Sequence, residues 1–186
     1  MILETIITTI DLHGKPHLAP FGVRVESELI IISPYKPSTT LENIVATKSA
    51  VMNHSDDVRV FAGALTGRQP WTLVPTHQIK GFRLQDCLAH TELHLLELRD
   101  DAIRPALIMQ KIMSENHAAF KGFNRAQAAV LELAVLVSRL ERLPKIKVMT
   151  ELKYLQIALD KTAGNSELEA WSWLQEKIHD FYKNQY

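Results

Sequence analysis

The residues best equipped for chemistry stand together at Tyr35-Lys36-Pro37-Ser38-Thr39-Thr40-Leu41-Glu42-Asn43, where three hydroxyls, a lysine and a carboxamide share one short stretch. Pro37 ends the strand before it, Thr39 suits an N-cap, and Glu42 three residues on completes a capping box, so a helix is expected to start here. Free backbone N–H groups of a first helical turn, the positive end of the helix dipole and side-chain donors on Ser38 and Thr40 together suit a phosphate. The same residues also make an ordinary helix cap, and the flanking sequence has to decide between the two.

A second constellation, His90-Thr91-Glu92-Leu93-His94, has the four-residue histidine spacing of a helical metal site. Its period argues otherwise. Cys87, Ala89, Thr91, Leu93 and Leu95 alternate with Leu88, His90, Glu92, His94 and Leu96, which is a strand with one more polar face. On a strand the two histidines stand roughly 13 Å apart, at about 3.3 Å per residue, too far to share an ion. No metal is expected, and these side chains are read as facing solvent or an interface. A hydrolase is not indicated, since Ser138 falls mid-helix and no Gly-x-Ser-x-Gly occurs. Without Gly-x-Gly-x-x-Gly after a strand, a built-in Rossmann site for a nicotinamide cofactor is not indicated either.

Composition narrows the partners. The chain has 186 residues, 21 Lys plus Arg against 21 Asp plus Glu, so charge gives no support to a nucleic-acid or anionic-membrane role. The single cysteine, Cys87, excludes an intramolecular disulfide framework and a zinc site of several thiolates, and a reducing compartment fits it best. Neither a run of about 18 apolar residues nor a basic, then apolar, leader is present. The expectation is a soluble cytoplasmic protein acting on a small molecule.

The elements that must position these residues divide by composition. Residues 2–10 and 17–25 are rich in Ile, Thr and Val around the turn-forming Asp11-Leu12-His13-Gly14-Lys15-Pro16, giving two antiparallel strands. Leu29-Ile30-Ile31-Ile32 is a buried strand and Ala50-Val51-Met52-Asn53 another. Pro20-Phe21-Gly22 interrupts the second strand, which suits either a β-bulge at an edge or the close approach of a bound ring. Residues 63–77, with Gly63, Gly67, Pro70 and Pro75 around Arg68, Gln69 and Trp71, read as an irregular arm, with Trp71 covering a ligand, covering a partner subunit or pinning a surface loop.

Past Arg104 the pattern reads as helical to the end. Pro105 opens a helix to about His117, and Asn124 caps an amphipathic one carrying Ala126, Ala129, Val130, Leu133, Val137 and Leu140. Pro144 opens a third helix with Gly164 as its C-cap, and Ser166 with Glu169 boxes a last one with stripe residues Trp171, Leu174, Ile178 and Phe181. The domains expected are therefore 1–104 and 105–186.

The run Ala19-Pro20-Phe21-Gly22-Val23, the helix start Ser38-Thr39-Thr40-Leu41-Glu42-Asn43 and Val51-Met52-Asn53 resemble the flavin-reductase-like split β-barrel. Phe123-Asn124-Arg125-Ala126 and Lys161-Thr162-Ala163-Gly164 resemble a poorly characterised FMN-binding family in which that barrel carries a C-terminal helical extension. The resemblance implies an α+β protein: a six-stranded, Greek-key-like split β-barrel followed by a helical subdomain packed on it, homodimeric, with FMN near the subunit interface. It places the FMN phosphate at Ser38, Thr39, Thr40 and Asn43. It also places the ring near Pro20, Phe21, Gly22 and Val23, and an amide near the cofactor at Asn53. Arg125 and Lys161 match motifs of that family, and each also suits a helix terminus. An FMN-dependent oxidoreductase acting on a small substrate with an electron donor, and a non-catalytic flavin carrier or sensor, are the two functions left open.

Overall fold

The computed structural model describes residues 1–68 and 70–184, which form two compact units. The first comprises Met1–Ser55 and Trp71–Phe120, the second Asp56–Pro70 and Lys121–Tyr186.

In the first unit, β1 (Ile2–Ile10), β2 (Pro16–Glu26) and β3 (Leu29–Ile32) follow one another as antiparallel neighbours, and α1 (Thr39–Thr47) leads into β4 (Ser49–His54). In the second unit α2 runs Arg59–Thr66. A small hairpin, β5 (Leu73–Pro75) and β6 (Phe82–Leu84), precedes the two long strands β7 (Ala89–Arg99) and β8 (Ala106–Asn116). Six strands close a barrel in the order β1-β2-β3-β8-β7-β4, every pair antiparallel. Closure abolishes the open edges that such strands would otherwise present.

Ile7, Val23, Ile30, Ile32, Met52, Leu93, Leu107 and Met109 fill the barrel, with Ile44 of α1 against them. Because side chains alternate along a strand, Ile6, Thr8, Val51 and Asn53 point the other way, yet they too are buried. The β5–β6 hairpin covers them: Thr8 Oγ1 donates to the Phe82 carbonyl at 2.7 Å, and Leu84 N–H donates to Asn53 Oδ1 at 2.8 Å. Covered on both faces, β1 is buried without a break from Thr5 to Ile10, and its threonines there stand among isoleucines.

Three expectations need correction here. The segment expected as a helix from Pro105 to about His117 is instead strand β8, Ala106–Asn116. Leu, Met, Gln and Lys are good helix formers, but pairing with β3 and β7 on both sides overrides that preference. The first unit accordingly runs to Phe120, so the boundary does not fall at 104, and α2 with its flanks belongs with the later helices. The expected irregular arm 63–77 holds the end of α2, closed by Gly67 at φ 77°, and then β5; Gln69 lies outside the described residues.

In the second unit, α2, α3 (Arg125–Val137), a 3-10 turn at Leu140–Arg142, α4 (Lys145–Thr162) and α5 (Asn165–Lys183) enclose a separate core. Asn124 caps α3 as expected, accepting from Ala126 N–H at 2.7 Å and Gln127 N–H at 3.3 Å. Its amide also donates to the Thr162 carbonyl, clipping the start of α3 to the end of α4. Gly164 is not a left-handed C-cap. It sits extended at φ −95° as the N-cap of α5, and Glu167 rather than Glu169 accepts from its N–H at 2.9 Å. Among the described residues no helix is long and apolar enough to cross a membrane.

Candidate functional site

The first turn of α1 is built from β1 upward. Asn43, buried, donates to Thr9 Oγ1 at 3.0 Å, which fixes the helix on the strand. Ser38, not Thr39, is the N-cap: its Oγ accepts from Leu41 N–H at 3.2 Å and its carbonyl from Glu42 N–H at 3.1 Å. The expected capping box between Thr39 and Glu42 is therefore replaced by a simple serine cap one residue earlier. Thr39 is exposed, and among the described residues nothing accepts from its N–H. Thr40 is 1% exposed, so its hydroxyl packs rather than offering itself to solvent. The donors open at the positive end of α1 are thus the Thr39 N–H and hydroxyl and the Ser38 hydroxyl proton, a set suited to an anion. Lys36, next to this turn, is paired with Asp100 at 2.7 Å, and that contact holds the Asp100 carboxyl below the ordinary carboxylate range.

β2 carries the other expected group. Its register with β1 runs unbroken from Pro16 to Arg24, so Pro20-Phe21-Gly22 neither bulges nor interrupts the strand. β3 pairs only with Arg24–Glu26, leaving the stretch around Pro20 with a single strand neighbour, where a missing N–H is tolerated. Phe21 packs on the barrel core, and Val23 is wholly buried in it. The absence of a side chain at Gly22 answers to β1: a Cβ there would lie 3.1 Å from Glu4 Oε1 and 3.3 Å from Ile2 Cγ2.

Asn53 is fully buried and committed. Its amide donates to the Ile6 carbonyl and Thr8 Oγ1, and its oxygen accepts from Leu84 N–H, so it ties β6 to the barrel instead of presenting an amide to a cofactor. Arg125 and Lys161 lie in the second unit, where both are exposed. Arg125 borders a cleft of about 280 Å³ with Glu132, Tyr154 and Ile157. Trp71 is half-buried just before β5, its indole N–H enclosed without a hydrogen-bond partner among the described residues.

A site the sequence did not suggest lies where β7 passes under the turn of the β5–β6 hairpin. His90 and Glu92 are both fully buried, against the expectation that they face solvent or an interface. The hairpin turn covers them: Glu92 accepts from the backbone N–H of His77, Gln78 and Ile79 at 2.7, 2.8 and 2.8 Å. Burial raises the Glu92 carboxyl, but those backbone donors and His90 outweigh it and leave it below the ordinary range, ionised at neutral pH. His90 stands with Nε2 3.5 Å from Glu92 Oε1 and Nδ1 2.9 Å from His117 Nε2, the two rings stacked. Burial pushes the His117 imidazole down. His94 is exposed and takes no part, two residues beyond the stretch of β7 that the hairpin turn covers through Glu92. The signal available in sequence was the His-x-Glu on one strand; its partners at 77–79 and 117 are remote in the chain.

A family described as "Protein of unknown function (DUF447) N-terminal domain" matches residues 3–118, and "Protein of unknown function (DUF447)" matches residues 124–176. No curated protein matches. Among solved structures, an FMN-bound protein of Methanosarcina mazei carrying the same family name aligns at 22% identity, covering 95% of this chain and 94% of that one, with a TM-score of 0.81. The 2-nitrobenzoate 2-nitroreductase NbaA of Pseudomonas fluorescens aligns at 19% identity over 61% of this chain and 64% of its own, with a TM-score of 0.54. BorF, the flavin reductase component of a bacterial two-component tryptophan halogenase, aligns at 13% identity over 64% of this chain and 82% of its own, again with a TM-score of 0.54. These two coverages correspond to a shared split barrel, whereas the M. mazei protein shares the helical part as well. With both parts matched in order over most of its length, the chain belongs to the DUF447 family.

Proposed function

We propose that this chain is an FMN-binding flavoprotein that holds the FMN phosphate at the first turn of α1 and acts as an oxidoreductase on a small molecule. The observation that carries the reading is the open donor set of Thr39 and Ser38 on a helix anchored to β1 by Asn43. The M. mazei family member, matched end to end and bound to FMN, supports it. FMN supplies the hydride or single-electron chemistry when bound. The chain's own residues then bind and orient: Ser38 and Thr39 donate to the phosphate, and Phe21 and Gly22 offer the wall of β2 to the ring. Thr40, Asn43 and Asn53 keep the turn and the barrel rigid from behind. A homodimer with the ring near the subunit interface is part of this reading, and two-fold dimers are the commonest oligomers.

Saturating FMN is expected to shift the visible flavin spectrum and raise the melting temperature of the full-length protein. Ser38→Ala and Thr39→Ala should each weaken FMN by about tenfold, the worth of one charge-assisted hydrogen bond, while leaving riboflavin nearly unchanged because it lacks the phosphate. Equal losses for both ligands would place the phosphate elsewhere. Light scattering on the same FMN-loaded samples should give the mass of a dimer.

Catalysis is separated from carriage by anaerobic mixing of the FMN-loaded protein with NADH, NADPH or reduced deazaflavin while the flavin band is followed. An oxidoreductase is expected to bleach with one donor faster than free FMN does. No acceleration by any donor would favour a carrier or sensor.

A further inference from the structure

We propose that His90, His117 and Glu115 form a binding site for a divalent transition metal of the zinc class, with Glu92 as the buried carboxylate that orients His90. The three side chains present ligand atoms within 4.8 Å of one another. The barrel brings them together by register: His90 of β7 lies directly across from Glu115 of β8, and the His117 N–H bonded to the Leu88 carbonyl at 2.8 Å turns the chain back toward β7. Two imidazole nitrogens and one carboxylate oxygen are a donor set that borderline metals favour.

Glu92 adds to this proximity. A fully buried carboxylate is costly unless its oxygens are satisfied, and here three backbone N–H groups of the hairpin turn donate to it and fix its position. Its Oε1 lies 3.5 Å from His90 Nε2, so this ring nitrogen is turned to Glu92. The other ring nitrogen, Nδ1, faces His117 Nε2 at 2.9 Å. A buried carboxylate that fixes the orientation of a histidine whose other nitrogen meets a second histidine is a common way of holding metal-binding histidines.

Between the two imidazoles the required adjustment is small. With metal–ligand bonds of about 2.0–2.2 Å, tetrahedral ligands stand about 3.3 Å apart, so the two nitrogens need to separate by about 0.4 Å as the ion enters. Access is open, since His90 is buried while Glu115 is exposed and His117 is half-buried. His77, with Nε2 3.7 Å from Glu115 Oε2, stands at the exposed side, where the fourth position would be filled by its ring or by solvent. The site is separate from the first turn of α1: β4 pairs with β7 from Ser49 opposite His94 to Asn53 opposite His90, and α1 joins β4 at its Ser49 end.

The test uses the full-length, untagged protein, stripped with chelator and assayed with and without FMN. Titrated Co²⁺ is expected to give visible bands of a four-coordinate site at one equivalent, which one equivalent of Zn²⁺ removes. His117→Ala should lower Zn²⁺ affinity at least 100-fold, Glu115→Gln at least tenfold, and Glu92→Gln about 10–100-fold through loss of orientation. His94→Ala, an exposed histidine on the same strand, should leave affinity unchanged. Absence of one-equivalent Zn²⁺ binding to the wild type would overturn the proposal. Unchanged binding in Glu115→Gln, a surface substitution that the fold tolerates, together with His117→Ala would overturn it too. The flavin reading is scored independently by the FMN spectrum of the same samples.

Discussion

Replacing Glu92 by alanine is expected to destabilise the barrel by about 3–5 kcal/mol, the range for breaking a buried charged network by removing one partner. Three backbone N–H groups in the hairpin turn would lose their acceptor, and each buried donor left unpaired costs about 1–3 kcal/mol. His90, itself fully buried, would lose the group facing Nε2. Urea unfolding measures the difference directly. Glu92→Gln keeps the shape and two polar atoms, and should fall between the wild type and the alanine variant.

The pH dependence follows from the direction of the carboxyl. Glu92 lies below its ordinary value of 4.5 in the folded chain, so the unfolded state binds more protons across that interval. Its stabilising contribution is complete above the ordinary value and is lost as pH falls through the lower folded one. The gap between wild type and Glu92→Gln should accordingly be widest near neutrality and narrow in acid. A gap of constant size from neutral pH to about pH 3 would show that the carboxylate charge contributes nothing.

Trp171→Ala should cost the helical unit about 3–5 kcal/mol, the range for emptying a large aromatic site in a packed core. Trp171 is 3% exposed and packs with Val130, Leu133, Val148 and Leu174 in one buried cluster, and its indole N–H donates to Gln156 Oε1 at 2.9 Å. The alanine therefore removes an aromatic volume and orphans an amide oxygen at once. Thermal unfolding followed by circular dichroism should show a midpoint lower by on the order of 10 °C. Trp171→Phe retains most of the volume and loses the hydrogen bond, so about 1–2 kcal/mol is expected. A drop of equal size for both variants would assign the effect to the bond rather than to the cavity.

What the sequence determined by itself was local. Strands β1 to β4, the start of α1, the Asn124 cap and the stripe on α5 are each specified by residues within one turn or one pleat of each other. The period of two around His90 predicted a strand, and Ala89–Arg99 is one, on which residues four apart stand roughly 13 Å from each other. The resemblance in Ala19–Val23 and Ser38–Asn43 also pointed to the barrel that the structure displays.

What only the tertiary structure decided depended on partners far away in the chain. The Ala106–Asn116 segment carries helix-forming residues after a proline and becomes strand because β3 and β7 offer it hydrogen bonds on both sides. Asn53 was expected at a cofactor and is instead consumed by Ile6, Thr8 and Leu84, groups it meets only when the barrel closes. Glu92 looked like a solvated residue on a polar face, since nothing near it in sequence reveals the hairpin turn that supplies three N–H donors. Burial and hydrogen-bond satisfaction are properties of the closed barrel, and composition within a strand does not contain them.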